Sequence, residues 1–153
     1  MPTVGKPAPL FMLSTDSGDA VSLADFKGKA VVLYFYPKDD TSSCTVEACE
    51  FRDTMPRFRK GKAVILGVSP DTVKSHLKFR EKYKLTFPLL ADIDHAVAER
   101  YGVWQEKSLY GRKYMGVERT TFLIDDKGVL RKVFVKVKSE GHAEEVVAAL
   151  AAL

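Results

Sequence analysis

Two stretches of the chain are apolar at nearly every position, Lys29 to Tyr36 (KAVVLYFY) and Lys62 to Ser69 (KAVILGVS). Continuous β-branched and aromatic runs of this length predict strands buried on both faces of a sheet. The first, ended by Pro37, is the candidate central strand. The polar stretch Lys38 to Ser43 after it predicts a turn, and Ser42 or Ser43 is placed to cap a helix running through Val46, Ala48 and Phe51. Behind the second strand, Ser69-Pro70-Asp71 offers a cap with proline just inside a helix that carries Val73, Leu77, Phe79 and Tyr83. A short helix is predicted over Asp94 to Tyr101, with Ala96, Val97 and Tyr101 on one face and Gly102 as its stop.

Thr120 to Ile124 and Val129 to Val137 read as strands joined by the turn Asp125-Asp126-Lys127-Gly128. The alanine-rich end, His142 to Leu153, sets Val146, Val147, Leu150 and Leu153 at helical spacing and predicts a helix closing over one sheet face. Strands alternating with helices, then a hairpin and a closing helix, describe a three-layer α/β/α domain with a mixed sheet. No repeat, linker or low-complexity tract divides it, so residues 1–153 are expected to form one domain.

Composition narrows the function classes. With 46% hydrophobic and 29% charged residues the chain has the make-up of a folded globular protein. The longest apolar run, Ala30 to Tyr36, is too short to cross a bilayer, and no basic segment leads into an apolar signal core, so a cytoplasmic location is expected. The net charge of +4 is mild, and the basic residues between Arg57 and Lys84 are interleaved with apolar ones, as on solvated helix faces. That pattern, without a zinc-finger spacing or RNA-binding signature, argues against nucleic-acid binding.

The two cysteines, Cys44 and Cys49, are too close in the chain to staple distant parts of a fold, so their use is expected to be chemical. Cys44 falls in the first turn of the predicted helix. There, unpaired backbone N–H groups and the positive end of the helix dipole favour thiolate, the nucleophilic form of sulfur. Taken alone, the residue reads as a small buried hydrophobe, which a lone cysteine usually is.

The surrounding run, FYPKDDTSSCTVEACEF from Phe35 to Phe51, changes that balance. Its proline, threonine and cysteine at Pro37, Thr41 and Cys44 resemble the active-site motif of peroxiredoxins. Glu47 and Cys49 are similar to the bacterioferritin-comigratory, or Q-type, branch. The resemblance continues through LGVSPDTVKSHLKF, FPLLAD, YGVWQEKSLYGRKYMG and RTTFLIDDKG. It implies a thioredoxin-like fold and a thiol peroxidase in which Cys44 attacks the peroxide and Cys49 resolves the sulfenic acid. Thioredoxin would then reduce the disulfide of a monomeric protein.

By the same resemblance, Thr41 places its hydroxyl beside the sulfur and the peroxide, Pro37 shields the thiolate from water, and Arg119 sets its guanidinium against the sulfur. Glu47 holds that arginine. Each role is chemically sensible, since a fixed positive charge stabilises thiolate and leaving oxygen alike. The departure is Ser42-Ser43, where many members carry Pro-Gly, which leaves the loop less constrained.

The Cys-x-x-x-x-Cys spacing differs from the Cys-x-x-Cys of thiol-disulfide oxidoreductases, the enzymatic rival. A redox sensor is the non-enzymatic one. His76, His95 and His142 are scattered and make no recognisable ligand set, so neither a metal nor an organic cofactor is expected. Tyr101, Trp104, Tyr110, Tyr114 and Met115 could line a peroxide entrance or serve packing. Asp39 and Asp40 read as solvated turn formers.

Overall fold

A computed structural model describes residues Met1 to Leu153. Nine strands and four α-helices follow one another in the order β1 (Met12–Thr15), β2 (Ala20–Ser22), β3 (Ala30–Phe35), α1 (Ser42–Lys60), β4 (Ala63–Ser69), α2 (Val73–Tyr83), β5 (Leu89–Ala91), α3 (Ala96–Arg100), β6 (Trp104–Leu109), β7 (Arg112–Val117), β8 (Thr120–Ile124), β9 (Leu130–Phe134) and α4 (His142–Ala151). A single 3-10 turn, Leu23–Phe26, lies between β2 and β3. Seven strands form one sheet in the order β2-β1-β5-β4-β3-β8-β9. Its centre, β3 with β4 and β4 with β5, is parallel, and its flanks are antiparallel.

The mixed sheet expected from the pattern is thus present, with β3 at its middle and every residue of β3 buried. Alternation along β3 divides the core. Val32 and Tyr34 face a cluster with Phe51, Phe58, Phe79 and Val146 from α1, α2 and α4. Val31, Leu33 and Phe35 face a second cluster with Val97 of α3 and Tyr101. Side chains at successive strand positions point to opposite faces, so one apolar run serves both layers. On the first face, Gly67 of β4 makes room for the Tyr34 phenol, since a Cβ there would sit 2.9 Å from its hydroxyl oxygen.

Several boundaries differ from the sequence reading. Thr41, not Ser42 or Ser43, is the N-cap of α1. Helix α2 is capped by Thr72, whose hydroxyl accepts from the Ser75 N–H at 3.1 Å, so Ser69, Pro70 and Asp71 lie before the helix. A hydroxyl one residue ahead of the first helical turn satisfies an otherwise unpaired amide, which serine at position 69 is too distant to do. Leu77 faces solvent and His76 faces the core. Helix α3 is shorter than Asp94 to Tyr101, β9 shorter than Val129 to Val137, and Leu153 is exposed beyond α4.

Strands β1, β2 and β5 go beyond the elements the hydrophobic pattern predicts, and so does the separate ribbon of β6 and β7. That ribbon turns through Tyr110 and Gly111, both at positive φ (51° and 77°), the conformation a two-residue hairpin loop requires. Tyr110 and Met115 stand exposed on it, Trp104 stacks on His95, and Tyr101 is buried in the second core cluster. Of the residues named for an entrance or for packing, Tyr101 thus serves packing. No helix is long and apolar enough to cross a membrane.

Candidate active site

Strand β3 delivers the chain to the C-terminal edge of the parallel strands, where Pro37 to Thr41 turns it into α1. Thr41 is extended (φ −87°, ψ 157°) and its carbonyl accepts the first helical bond from the Thr45 N–H at 2.9 Å. Cys44 is the third residue of α1, within the turn whose amides have no helical acceptor. Its side chain is 2% exposed and free of any disulfide.

Arg119, in the link between β7 and β8, donates from Nη2 to the Cys44 sulfur at 3.1 Å. Its Nη1 donates to the Glu47 carboxylate at 2.5 Å, and its backbone carbonyl accepts from the Val137 N–H at 3.0 Å. Side chain and backbone are therefore both held. A cation donating to sulfur stabilises negative charge there, and its remaining charge faces any oxygen that attacks or leaves along the same line.

Glu47 is 1% exposed and carries an anomaly: one carboxylate oxygen meets Arg119, while Oε2 has no hydrogen-bond partner. Burial pushes its pKa up to about 7, with Arg119 pulling in the opposite direction. The hydroxyl of Tyr34 is likewise buried without a partner, and burial together with the Glu47 and Cys44 charges holds its pKa well above the usual phenol value. Unpartnered groups of this kind are uncommon in folded proteins and cluster where chemistry is done.

The residues singled out in the sequence are largely brought together. Cys44, Glu47 and Arg119 are in direct contact, and Pro37 is half-buried in the turn ahead of them. Thr41 is exposed; its hydroxyl donates to the Lys38 carbonyl at 2.9 Å and makes no hydrogen bond to Cys44. Its lone pairs remain free to accept. Cys49 lies on the same helix, half-buried and reduced. Beside the site opens a depression of about 570 Å³ lined by Ser42, Ser43, Val46, Arg119 and Val137 among others.

Sequence reading missed a second polar cluster on the other side of the turn. Asp39 is buried rather than solvated, and its carboxylate accepts from Tyr36 (2.6 Å), Ser75 (2.8 Å) and His76 (2.7 Å). The other nitrogen of His76 faces the Leu90 carbonyl at 2.9 Å, so both ends of the ring are engaged. The Asp39 N–H donates to Asp71, which also accepts from Ser69. Asp39, Asp71 and His76 offer ligand atoms within 4.8 Å of one another. Both oxygens of Asp39 and Oδ2 of Asp71 are engaged by these donors, which makes the group first of all a hydrogen-bond network. Asp40 alone fits the expected solvated turn, and it pairs with Lys82 and Tyr83. In the sequence, only the proximity of polar Lys38 to Ser43 to a buried strand hinted that one carboxylate would turn inward.

The chain is similar to known proteins over most of its length. The AhpC/TSA family model matches residues 4–133. The Coxiella burnetii bcp protein is 55% identical over 147 residues, covering 96% of this chain and 97% of its own. Peroxiredoxin Bcp of Bacillus subtilis is 50% identical, over 96% of this chain and 94% of its own. Among solved structures, the bacterioferritin comigratory protein of Xanthomonas campestris, described for its alkyl peroxide reduction activity, superposes with a TM-score of 0.89. It shares 43% identity, covering 93% of this chain and 90% of its own.

Proposed function

The chain belongs to the AhpC/TSA family and is a thiol peroxidase of the Bcp type, and from that premise we propose that Cys44 is its peroxidatic nucleophile and Cys49 its resolving cysteine. The observation that carries the assignment is the 3.1 Å bond from Arg119 to the Cys44 sulfur. The Cys44 thiolate attacks the terminal peroxide oxygen. A sulfur–oxygen bond forms as the oxygen–oxygen bond breaks, and the departing oxygen takes a proton to leave as water or alcohol. Arg119 stabilises the charge on that oxygen, and Thr41 accepts the peroxide hydrogen through the lone pairs its own donor bond leaves free. Pro37 limits water at the sulfur, and Glu47 positions Arg119.

The Cys49 sulfur then displaces water from the Cys44 sulfenic acid to form a disulfide. A dithiol of the thioredoxin type returns two electrons and two protons through a mixed disulfide. Hydrogen peroxide and organic hydroperoxides are the substrates, the latter favoured by Val46 and Val137 in the depression beside the site. Both cysteines lie on one helix, so the cycle closes within a single-domain monomer, and its need for a dithiol reductant suits the cytoplasm. No step calls for a metal or organic cofactor. Peroxide consumption driven by thioredoxin and its reductase tests the reading, with mass spectrometry after one equivalent of peroxide expected to show two hydrogens lost between Cys44 and Cys49. Peroxide reduction without that mass change would overturn the resolving role.

A further inference from the structure

Cys44 and Cys49 sit five residues apart on a continuous helix, which sets their Cα atoms on the order of 8.5 Å apart. A disulfide spans at most about 6.8 Å. The resolving role proposed for Cys49, on which this inference rests, therefore requires the start of α1 to unwind. How far it unwinds is set by residues further along the helix.

Pro56 stands inside α1. A proline at that position has no N–H to give the Arg52 carbonyl, and its ring presses against that carbonyl, so the helix is weakened between Arg52 and Pro56. In the first turn of a helix neither penalty applies, because those amides have no helical partner anyway. If the chain unwinds up to Arg52, Asp53 becomes an N-cap, a position aspartate favours, and Pro56 becomes the third residue of the helix that remains. The rest of α1 is held in the core by Met55 and Phe58.

A second set of contacts marks the same limits. Arg52 donates to the Tyr83 carbonyl at 2.5 Å. At the other end, Asp40 accepts from the Tyr83 hydroxyl and from Lys82, both at 2.7 Å, with its backbone left-handed at φ 58°. The segment that carries both cysteines thus leaves the last turn of α2 at Asp40 and returns to it at Arg52.

We infer that α1 contains a built-in breakpoint, with Pro56 and Asp53 defining where the helix stops opening during disulfide formation and with Arg52, Asp40 and Tyr83 as the anchors that hold it closed until then. Pro56 is a positioning residue for the resolving step. It penalises the closed helix and not the opened one, so it favours disulfide formation over further oxidation of Cys44. The anchors act in the opposite sense. They are exposed or half-buried polar contacts, each weak enough to yield, and the larger resistance to opening comes from Ala48 and Phe51 on the same segment, which are fully buried in the core.

The test measures disulfide formation after rapid mixing with peroxide, by trapping free thiols and weighing the protein, together with the peroxide concentration that drives half of Cys44 to sulfinic acid. Pro56→Ala is expected to slow disulfide formation by about 10- to 100-fold while raising thermal stability, the size of effect a helical proline carries. Tyr83→Phe and Arg52→Met are each expected to speed it by about 2- to 5-fold, as for other exposed polar contacts. Peroxide attack itself should be unchanged in all three. In the disulfide form, amide exchange should be fast from Ser43 through Met55 and protected from Arg57 onward. A Cys44–Cys49 disulfide forming at the unaltered rate in Pro56→Ala, or fast exchange running beyond Arg57, overturns the breakpoint alone. Absence of that disulfide in the unaltered protein overturns the resolving assignment and the breakpoint together.

Discussion

Two buried polar clusters flank the turn from β3 into α1, and they are built on different terms. On one side, Asp39, His76, Tyr36 and Ser75 leave no polar side-chain atom without a partner. On the other, Cys44, Arg119 and Glu47 include a carboxylate oxygen that meets nothing. A fully satisfied polar network resists change and fixes geometry, whereas an unbalanced one keeps interaction capacity for a group that arrives later. The comparison assigns stability to the first cluster and reactivity to the second. Substitutions should separate the two clusters by their effect on the peroxide rate.

The largest separation lies at the cysteines. Cys44→Ser should abolish peroxide reduction, since a hydroxyl is not ionised at neutral pH, and should leave the fold intact. Cys49→Ser should retain the first oxidation and accumulate sulfenic acid, which excess peroxide carries on to sulfinic acid. Trapping sulfenic acid with a dimedone-type reagent distinguishes the two. Equal residual activity in both variants would undo the division of labour.

Asp39→Ala leaves Tyr36, Ser75 and the buried His76 without their shared partner and should cost about 3–5 kcal/mol, the size expected when several buried polar groups lose their hydrogen bonds together. For a chain of this size that is a fall of roughly 10 °C in Tm. The peroxide rate of the protein that remains folded should change by less than about tenfold, because the cluster does not touch the sulfur. A rate loss without a stability loss would place Asp39 in the chemistry and collapse the comparison.

On the other side the effect is expected in the rate. Arg119→Met should slow attack by about 10²–10³-fold, comparable to deleting one donor to a developing oxyanion, in addition to the stability lost when the buried Glu47 is left without its partner. Stopped-flow rates with hydrogen peroxide measure it. An unchanged second-order rate would reduce Arg119 to a structural ion-pair partner.

This contrast was only half legible in the sequence, and the reason is physical. β3 and β4 were readable because strands buried on both faces must be apolar throughout. The ribbon Trp104 to Val117 was not, because most of its residues are exposed on both faces and so carry no alternation, and its turn signal was only Tyr110-Gly111. Cys44, Glu47 and Arg119 were found by their likeness to a known motif. Arg119 is 75 positions away from Cys44, and only the antiparallel pairing of β3 with β8 brings it near the sulfur. Asp39 escaped because a buried carboxylate with three donors and a solvated turn aspartate look identical in a sequence. Its donors Ser75 and His76 come from another element, positioned by the Thr72 cap.

The finest test of the comparison uses pH, through the unpartnered oxygen of Glu47. Its carboxyl, pushed from 4.5 up to about 7 by burial against the pull of Arg119, holds its proton more tightly in the folded chain than in the unfolded one. Between those two values the folded state binds more protons than the unfolded state, so stability must fall as pH rises. A shift of this size corresponds to about 3 kcal/mol, present in full below about pH 4.5 and lost by the time pH passes 7. Glu47→Gln keeps the shape and an oxygen for Arg119 but cannot titrate, so that loss should vanish. Urea unfolding at intervals between pH 5 and 8 should give curves for the two proteins that converge or cross, and the difference isolates Glu47 because every other titrating group is common to both. Parallel curves would mean that Glu47 is ionised throughout, satisfied by Arg119 alone. The reactive cluster would then be as balanced as the Asp39 network, and the imbalance would not be what distinguishes them.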